Sequence, residues 1–293
     1  MDRINRVLIA GGTHGNELIG VYAIKTFAVQ PDLVRRSSFE TLTVLGNPEA
    51  TAANRCYIDH DLNRSFGTAA HLGDTGYEWR RAAALREQFG SKGRQPVDFV
   101  IDLHSTTSNA GIMLILDSPT GFTLRLAAYI SRVHPEVRLY SSEGSGRRQD
   151  SLRSLASHRL GIEVGPVAHG TLNAQLFQKT EAVVQTTLDY LEHHNTGPAT
   201  VEPPTELTLY QYIDVLDYPR DSEGNILAMI HPQRQFEDYA PLEPGEPLFL
   251  TFGQEVIPYQ GNTTVYPVFI NEAAYYEKGI ALCLAEKRVY QLE

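Results

Sequence analysis

The feature that most limits what this chain can fold into is a series of short apolar runs, too brief for helices, interleaved with longer stretches of helical period. Arg6–Ala10 (RVLIA), Thr41–Leu45, Val97–Leu103 (VDFVIDL), Gly111–Leu116 (GIMLIL) and Gly161–Val164 have the length and composition of strands. Glu17–Phe27, Tyr77–Phe89, Phe122–Ile130 and Leu176–Glu192 have those of helices. Apolar strands alternating with helices predict an α/β sheet covered on both faces, because such strands have no side to leave in water.

Beyond residue 205 the pattern changes. Leu207–Leu216, Ile226–Ile230, Pro247–Leu250, Val256–Tyr259 and Val265–Ile270 are strand-like and are separated by turns such as Ser222-Glu223-Gly224-Asn225 and Glu243-Pro244-Gly245-Glu246. That predicts a small β-rich domain. A Pro- and Gly-rich stretch from Thr196-Gly197-Pro198 to Pro203-Pro204 marks the change, so two domains are expected, 1–196 and 205–293. Charge divides in the same place. Residues 1–195 hold 20 acidic and 20 basic side chains and the remainder 15 and 5, so the formal charge of -10 sits in the last third.

An acidic chain without a basic stripe makes nucleic acid an unexpected partner. No run approaches the roughly 18 apolar residues needed to cross a bilayer, so no membrane association is expected. MDRINR leads straight into VLIAGG without a signal-peptide pattern, and cytoplasmic residence is the expectation. Cys56 and Cys283 form no CxxC pair, which speaks against a disulfide scaffold.

Four stretches carry residues able to do chemistry. Gly11-Gly12-Thr13-His14-Gly15-Asn16-Glu17 follows the first strand but has neither GxGxxG nor GK[ST] spacing, so it is no nucleotide loop. His14 and Glu17, three apart, suit either one metal ion or an ordinary helix start with a first-turn carboxylate. Asp102-Leu103-His104 ends an apolar strand, where ligands of open α/β sheets commonly sit. There His104 either caps a turn or completes a His/Glu/His set of the size a catalytic zinc takes. Asp102 is read as a buried, hydrogen-bonded carboxylate on the opposite face from His104. Glu163, inside the strand of GIEVGP (161–166), is an ionisable group in apolar surroundings. It is placed to act as a general base near neutral pH if a metal lies beside it. Finally, Asn54-Arg55 and Asp59-His60-Asp61-Leu62-Asn63-Arg64-Ser65-Phe66 crowd charge without an amphipathic period. Arg55 and Arg64 offer planar forks for a carboxylate or an oxyanion, with structural pairing to Asp59 and Asp61 as the alternative. His60 is read as a loop residue. Arg153 is a further candidate for an anionic substrate, whereas Arg147 and Arg148 are expected to face solvent.

Taken in order, these motifs resemble those of the aspartoacylase and succinylglutamate desuccinylase family, relatives of the zinc carboxypeptidases, and most of all its aspartoacylase branch. GGTHGNE at 11–17, GNP at 46–48, IDHDLNRSF at 58–66, IDLHSTTSN at 101–109, GIEVGP at 161–166, IHPQRQFEDYAPLEPGEPLF at 230–249 and INEAAYYEK at 270–278 carry the resemblance almost end to end. It implies a zinc-carboxypeptidase-like mixed sheet with helices on both faces, followed by the small β-rich C-terminal domain. It also implies one zinc ion per subunit held by His14, Glu17 and His104, with Glu163 as catalytic base and Arg55 polarising the scissile amide. Arg55, Asn63, Arg64, Arg153, Glu163 and Tyr275 would contact the substrate, and Glu272 matches a family glutamate to which no role is assigned. One departure concerns Gln149, which stands where animal aspartoacylases have a tyrosine.

The implied activity is zinc-dependent hydrolysis of a small anionic N-acyl amino acid, foremost N-acetyl-L-aspartate to acetate and L-aspartate, by a homo-oligomer. The alternatives are a related deacylase for N-acyl aromatic amino acids or N-succinylglutamate, and a non-catalytic zinc-containing binding module. Structural zinc usually closes its shell with four protein ligands, and neither cysteine has a spacing that suggests this.

Overall fold

In the computed structural model of the chain, residues 3–67, 75–145, 150–197 and 206–292 are described. Gln149, Arg147, Arg148 and most of the expected boundary segment lie outside them. The chain begins with β1 (Arg6–Gly11), α1 (Leu18–Val29), β2 (Glu40–Leu45), the short α2 (Pro48–Ala52) and α3 (Tyr77–Phe89). Then come β3 (Phe99–Ser105), β4 (Gly111–Leu116), α4 (Gly121–Val133), β5 (Val137–Ser141), β6 (His158–Gly165) and α5 (Ala174–Thr196). The remainder is β7 (Glu206–Leu216), β8 (Ala228–Ile230), β9 (Pro247–Thr251), β10 (Val256–Pro258), β11 (Tyr266–Val268) and β12 (Leu282–Gln291).

Nine strands form one sheet in the order β11-β12-β7-β5-β4-β6-β3-β1-β2. The pairs β1–β2, β1–β3, β3–β6, β4–β5 and β5–β7 are parallel, whereas β4–β6, β7–β12 and β11–β12 are antiparallel. The sheet is therefore mixed. The small sheet β10-β9-β8 stands apart from it.

Period-two alternation decides what each face of the sheet meets. Val7, Ile9, Ile101, Leu114, Leu139, Leu160 and Ile162 face one core with residues of α1, α4 and α5. Leu8, Ala10 and Val100 face the other way, onto Ala82, Leu85 and Phe89 of α3. Helix α3 covers only the β1 and β3 side of this second face. Farther along, Met113 and Ile115 of β4 pack with Tyr140, Phe269, Cys283 and Ala285, so the C-terminal segment completes the covering. Between the two coverings a cavity reaches His104 of β3 and Glu163 of β6.

The mixed sheet and the β-rich C-terminal part are as expected, and three C-terminal strands, β7, β12 and β11, also extend the main sheet from the edge of β5. The expected strands also omit β5 and β12. Arg138 interrupts the apolar run of VRLYS, and the second half of LCLAEKRVYQ is polar and stays in the ladder through ten residue pairings with β7. Among the described residues no helix is long and apolar enough to cross a membrane.

Candidate active site

The turn between β1 and α1 brings His14 back over the sheet. Gly15 makes this possible, since a Cβ there would lie 2.2 Å from the backbone of Ala50 and Thr51. Glu17 occupies the position just before α1 and is buried beneath His14. From β3, His104 projects toward both. His14 Nδ1 lies 2.5 Å from Glu17 Oε1, and His104 Nδ1 lies 2.9 Å from Glu17 Oε2. Donor atoms of His14, Glu17 and His104 all fall within 4.8 Å of one another, and among the described residues this group numbers three.

The other nitrogen of each imidazole meets a carboxylate. His14 Nε2 is 3.0 Å from Asp61 Oδ1, and His104 Nε2 is 2.8 Å from Asp102 Oδ2. Such partners fix ring orientation and leave the Nδ1 lone pairs aimed at a common point, as metal-binding histidines require. Asp102 does not point to the opposite face from His104 as expected. Residues two apart on a strand share a face, and the period-two rule puts Asp102 and His104 side by side. Its reading as a buried, hydrogen-bonded carboxylate stands, since Thr13 Oγ1 donates to its Oδ1 at 2.8 Å.

Electrostatics mark the spot as one built for positive charge. Burial favours a neutral His104, yet Asp102 and Glu17 push its pKa up to about 10. His14 is likewise raised despite burial, by Cys56, Glu17 and Asp61. The carboxylates that raise both imidazoles would act in the same way on a dication in their place. Two imidazoles and a carboxylate suit zinc, so the residues fit the implied metal.

Glu163 stands next to this group on β6, which pairs it with His104 across the β3–β6 ladder. Its Oε1 is buried with no hydrogen-bond partner among the described residues. Burial pushes its carboxyl well above the usual carboxylate range, and Glu17 and Glu272 add to the effect. One cavity is lined by His14, Glu17, Asn63, Arg64, His104, Arg153, Glu163 and Tyr275 together. Asn63 is tied down at both ends, its Oδ1 accepting from Leu152 N at 2.9 Å and its amide lying 3.2 Å from His104 Nε2. Arg55 is apart from this gathering. It is exposed on its loop and off the cavity wall.

Several contacts were not read from the sequence. Asp61 pairs with Lys278 Nζ at 2.6 Å and with His14, rather than with Arg55 or Arg64. Asp59 instead accepts from Tyr77 N at 2.6 Å, and the His60 ring packs against Trp79. Glu272 is fixed by Thr106 Oγ1 and by Thr107 N at 2.7 Å, beside the end of β3. Lys278 and Glu272 lie in the INEAAYYEK motif, but only the fold shows that this segment returns to the end of the sheet that bears His14, Glu17 and His104.

A mixed α/β sheet thus carries a His/Glu/His group able to hold a metal ion, with Glu163 beside it on the neighbouring strand. Comparison with known proteins gives the family. Residues 3–191 match the succinylglutamate desuccinylase/aspartoacylase catalytic domain, and residues 205–287 match the AstE/AspA barrel-sandwich hybrid domain. The chain belongs to this family. It is 49% identical to a probable aspartoacylase of Nostoc sp., over 99% of this chain and 98% of that one. It is 42% identical to the N-acyl-aromatic-L-amino acid amidohydrolase (carboxylate-forming) of Mus musculus, over 96% of this chain and 90% of that one. Among solved structures it resembles murine aminoacylase 3, with a TM-score of 0.93 and 39% identity, covering 100% of this chain and 98% of that one.

Proposed function

We propose that this chain is a zinc-dependent amidohydrolase that removes the acyl group from an N-acyl amino acid, with N-acetyl-L-aspartate as the preferred substrate. The reading is carried by one observation: the unpartnered Glu163 carboxylate shares a cavity with the His14, Glu17 and His104 group and with two arginines, Arg64 and Arg153. The relative in Nostoc, a probable aspartoacylase, supports the acidic substrate.

When bound by His14, Glu17 and His104, zinc supplies Lewis acidity and brings the pKa of a water down to about 7. Glu163 takes the proton of the attacking water and later returns it to the leaving nitrogen. Its raised proton affinity suits both steps, since a base too weak to hold the proton could not deliver it. Arg64 and Arg153 receive the carboxylates of the substrate, with Asn63 and Tyr275 completing the grip. Arg55 sits on the loop that carries Asp61, Asn63 and Arg64, and its proposed role as polariser of the scissile carbonyl requires it to turn inward when substrate binds.

A second reading has an observation of its own. Ile115, Tyr140, Tyr212, Phe269 and Tyr275 give the same cavity an apolar, aromatic wall, and the murine relative is named for N-acyl-aromatic amino acids. A panel of N-acetylaspartate, N-acetyltyrosine and N-succinylglutamate, run on zinc-quantified protein with and without chelator, separates the readings. Glu163→Gln is expected to cut turnover by about 10²–10⁴-fold while zinc stays near one per chain. Near-native activity in that variant, or full activity without metal, overturns the mechanism.

A further inference from the structure

We propose that Asn63 sets the separation of Arg64 and Arg153, and so makes the site a gauge of the distance between two carboxylates on one substrate. The inference rests on the proposed function, in which these two arginines receive those carboxylates. It gives Asn63 a positioning role beyond its share in the grip.

The arginines stand on two short 3-10 turns, Leu62–Arg64 and Leu152–Leu155. Arg153 is anchored on the sheet. A Cβ on Gly161 would come within 3.1 Å of its Nη1, so the guanidinium lies against the bare glycine of β6. Asp117 Oδ1 accepts from its Nη2 at 2.8 Å, and Asp102 Oδ2 is 3.7 Å from its Nη1. Arg64 is placed in another way. Its Nη1 donates to the backbone carbonyl of Asn63 at 2.6 Å, so the guanidinium follows the backbone of its own turn.

That turn is in its place because it is docked on the other one. Asn63 Oδ1 accepts from Leu152 N at 2.9 Å, and Phe66 N donates to the carbonyl of Asp150 at 3.2 Å. Leu62, Phe66, Leu152 and Leu155 bury their side chains in a common cluster. Leu152 opens its turn, where no carbonyl of the same turn can reach its N–H, and Asn63 supplies the acceptor that such a group needs. Asn63 and Leu152 are both buried, so water does not readily take over the bond. Asn63 thus holds Arg64 by its backbone and the turn of Arg153 by its side chain. Two planar forks at a fixed separation suit one spacing of carboxylates. A rigid pocket turns a difference of one methylene into about 10–200-fold in specificity.

The test uses zinc-quantified protein and two series of ligands. With wild-type protein, competitive inhibition and calorimetric binding by malonate, succinate and glutarate are expected to peak at succinate, which spaces its carboxylates as aspartate does. Glutarate is expected to be about tenfold weaker. Asn63→Ala is expected to lower kcat/KM per zinc for N-acetyl-L-aspartate about tenfold more than for N-acetyl-L-glutamate, because loosened turns no longer favour the shorter acid. A residue that only touched the substrate would cost both compounds alike, since they differ by that methylene alone. Equal loss on both, no loss, or dicarboxylates bound without a preferred length overturns the proposal. The last of these decides even where the variant fails to fold. Wild-type protein that hydrolyses no N-acyl amino acid sinks the proposed function instead, and the dicarboxylate series then still judges the spacing.

Discussion

Each imidazole of the proposed metal site is held by a carboxylate that is not itself one of the three donors, and this determines what single substitutions do. Asp102→Asn keeps the shape of the side chain but weakens the contact that orients His104 Nε2 at 2.8 Å. Loss of such a partner typically costs 10–100-fold in metal affinity, and a fall of that size is expected in competition with a chelator of known affinity. Unchanged zinc affinity would mean that Asp102 serves the fold alone. At this scale the sequence is readable only where chemistry and spacing coincide. His14 and Glu17 are three apart on one turn, and Glu163 is an ionisable residue in an apolar strand, so both advertise themselves. Asp102 was legible too, through the period of a strand, although its face was misread. The pairings of Asp61 with His14 and with Lys278 were not, because those partners are 47 and 217 residues away.

The loops that complete the site are fixed by carboxylates of neighbouring segments. Glu78, in the first turn of α3, accepts from the backbone of Ile58, Asp59 and His60 at 2.7, 3.0 and 3.0 Å, and so pins the loop leading to Asn63 and Arg64. Asp238 plays the corresponding part on the C-terminal side, accepting from Asn109 N and Ile270 N, both at 3.2 Å. It thereby ties the loop after β3 to the segment carrying Glu272 and Tyr275. Burial raises the Asp238 carboxyl to about 6. A folded pKa above the unfolded value means that the native state holds the proton more tightly, so this group's stabilisation is complete below about pH 4 and is lost as pH rises through 6. Asp238→Asn has no such loss. Its unfolding free energy relative to wild type is expected to rise by ~2–3 kcal/mol between pH 4 and pH 7, measured by denaturant titration. A pH-independent difference would count against the assignment. Helix α3 and strand β4 begin and end where the sequence puts them, since Gly76 and Gly90 bracket one and GIMLIL fills the other. Strand β12 was invisible, because half of it is polar and only its pairing with β7 makes it a strand.

On the scale of the whole molecule, the α/β character of the first two thirds follows from apolar periodicity, whereas the joining of the C-terminal strands to the same sheet does not. Nothing local in Leu207–Leu216 tells that it will pair with β5, residues away across a segment rich in Pro and Gly. The pairing is made by an open parallel edge and by an apolar surface that needs a cover. A chain ending at residue 197 would leave β5 as a bare edge and uncover Met113, Ile115 and Tyr140. Such a fragment is expected to aggregate rather than unfold cooperatively, as size-exclusion chromatography and thermal circular dichroism would reveal. A soluble fragment with a sharp melting transition would show that the sheet does not need its C-terminal strands. There is a temporal side to this arrangement. Glu272, Tyr275 and Lys278 reach the cavity from just before β12, which follows every other element in the chain and yet lies between β7 and β11. A polypeptide still emerging from the ribosome therefore carries an unfinished pocket until the segment that bears Glu272, Tyr275 and Lys278 has been made and its strand has joined the sheet.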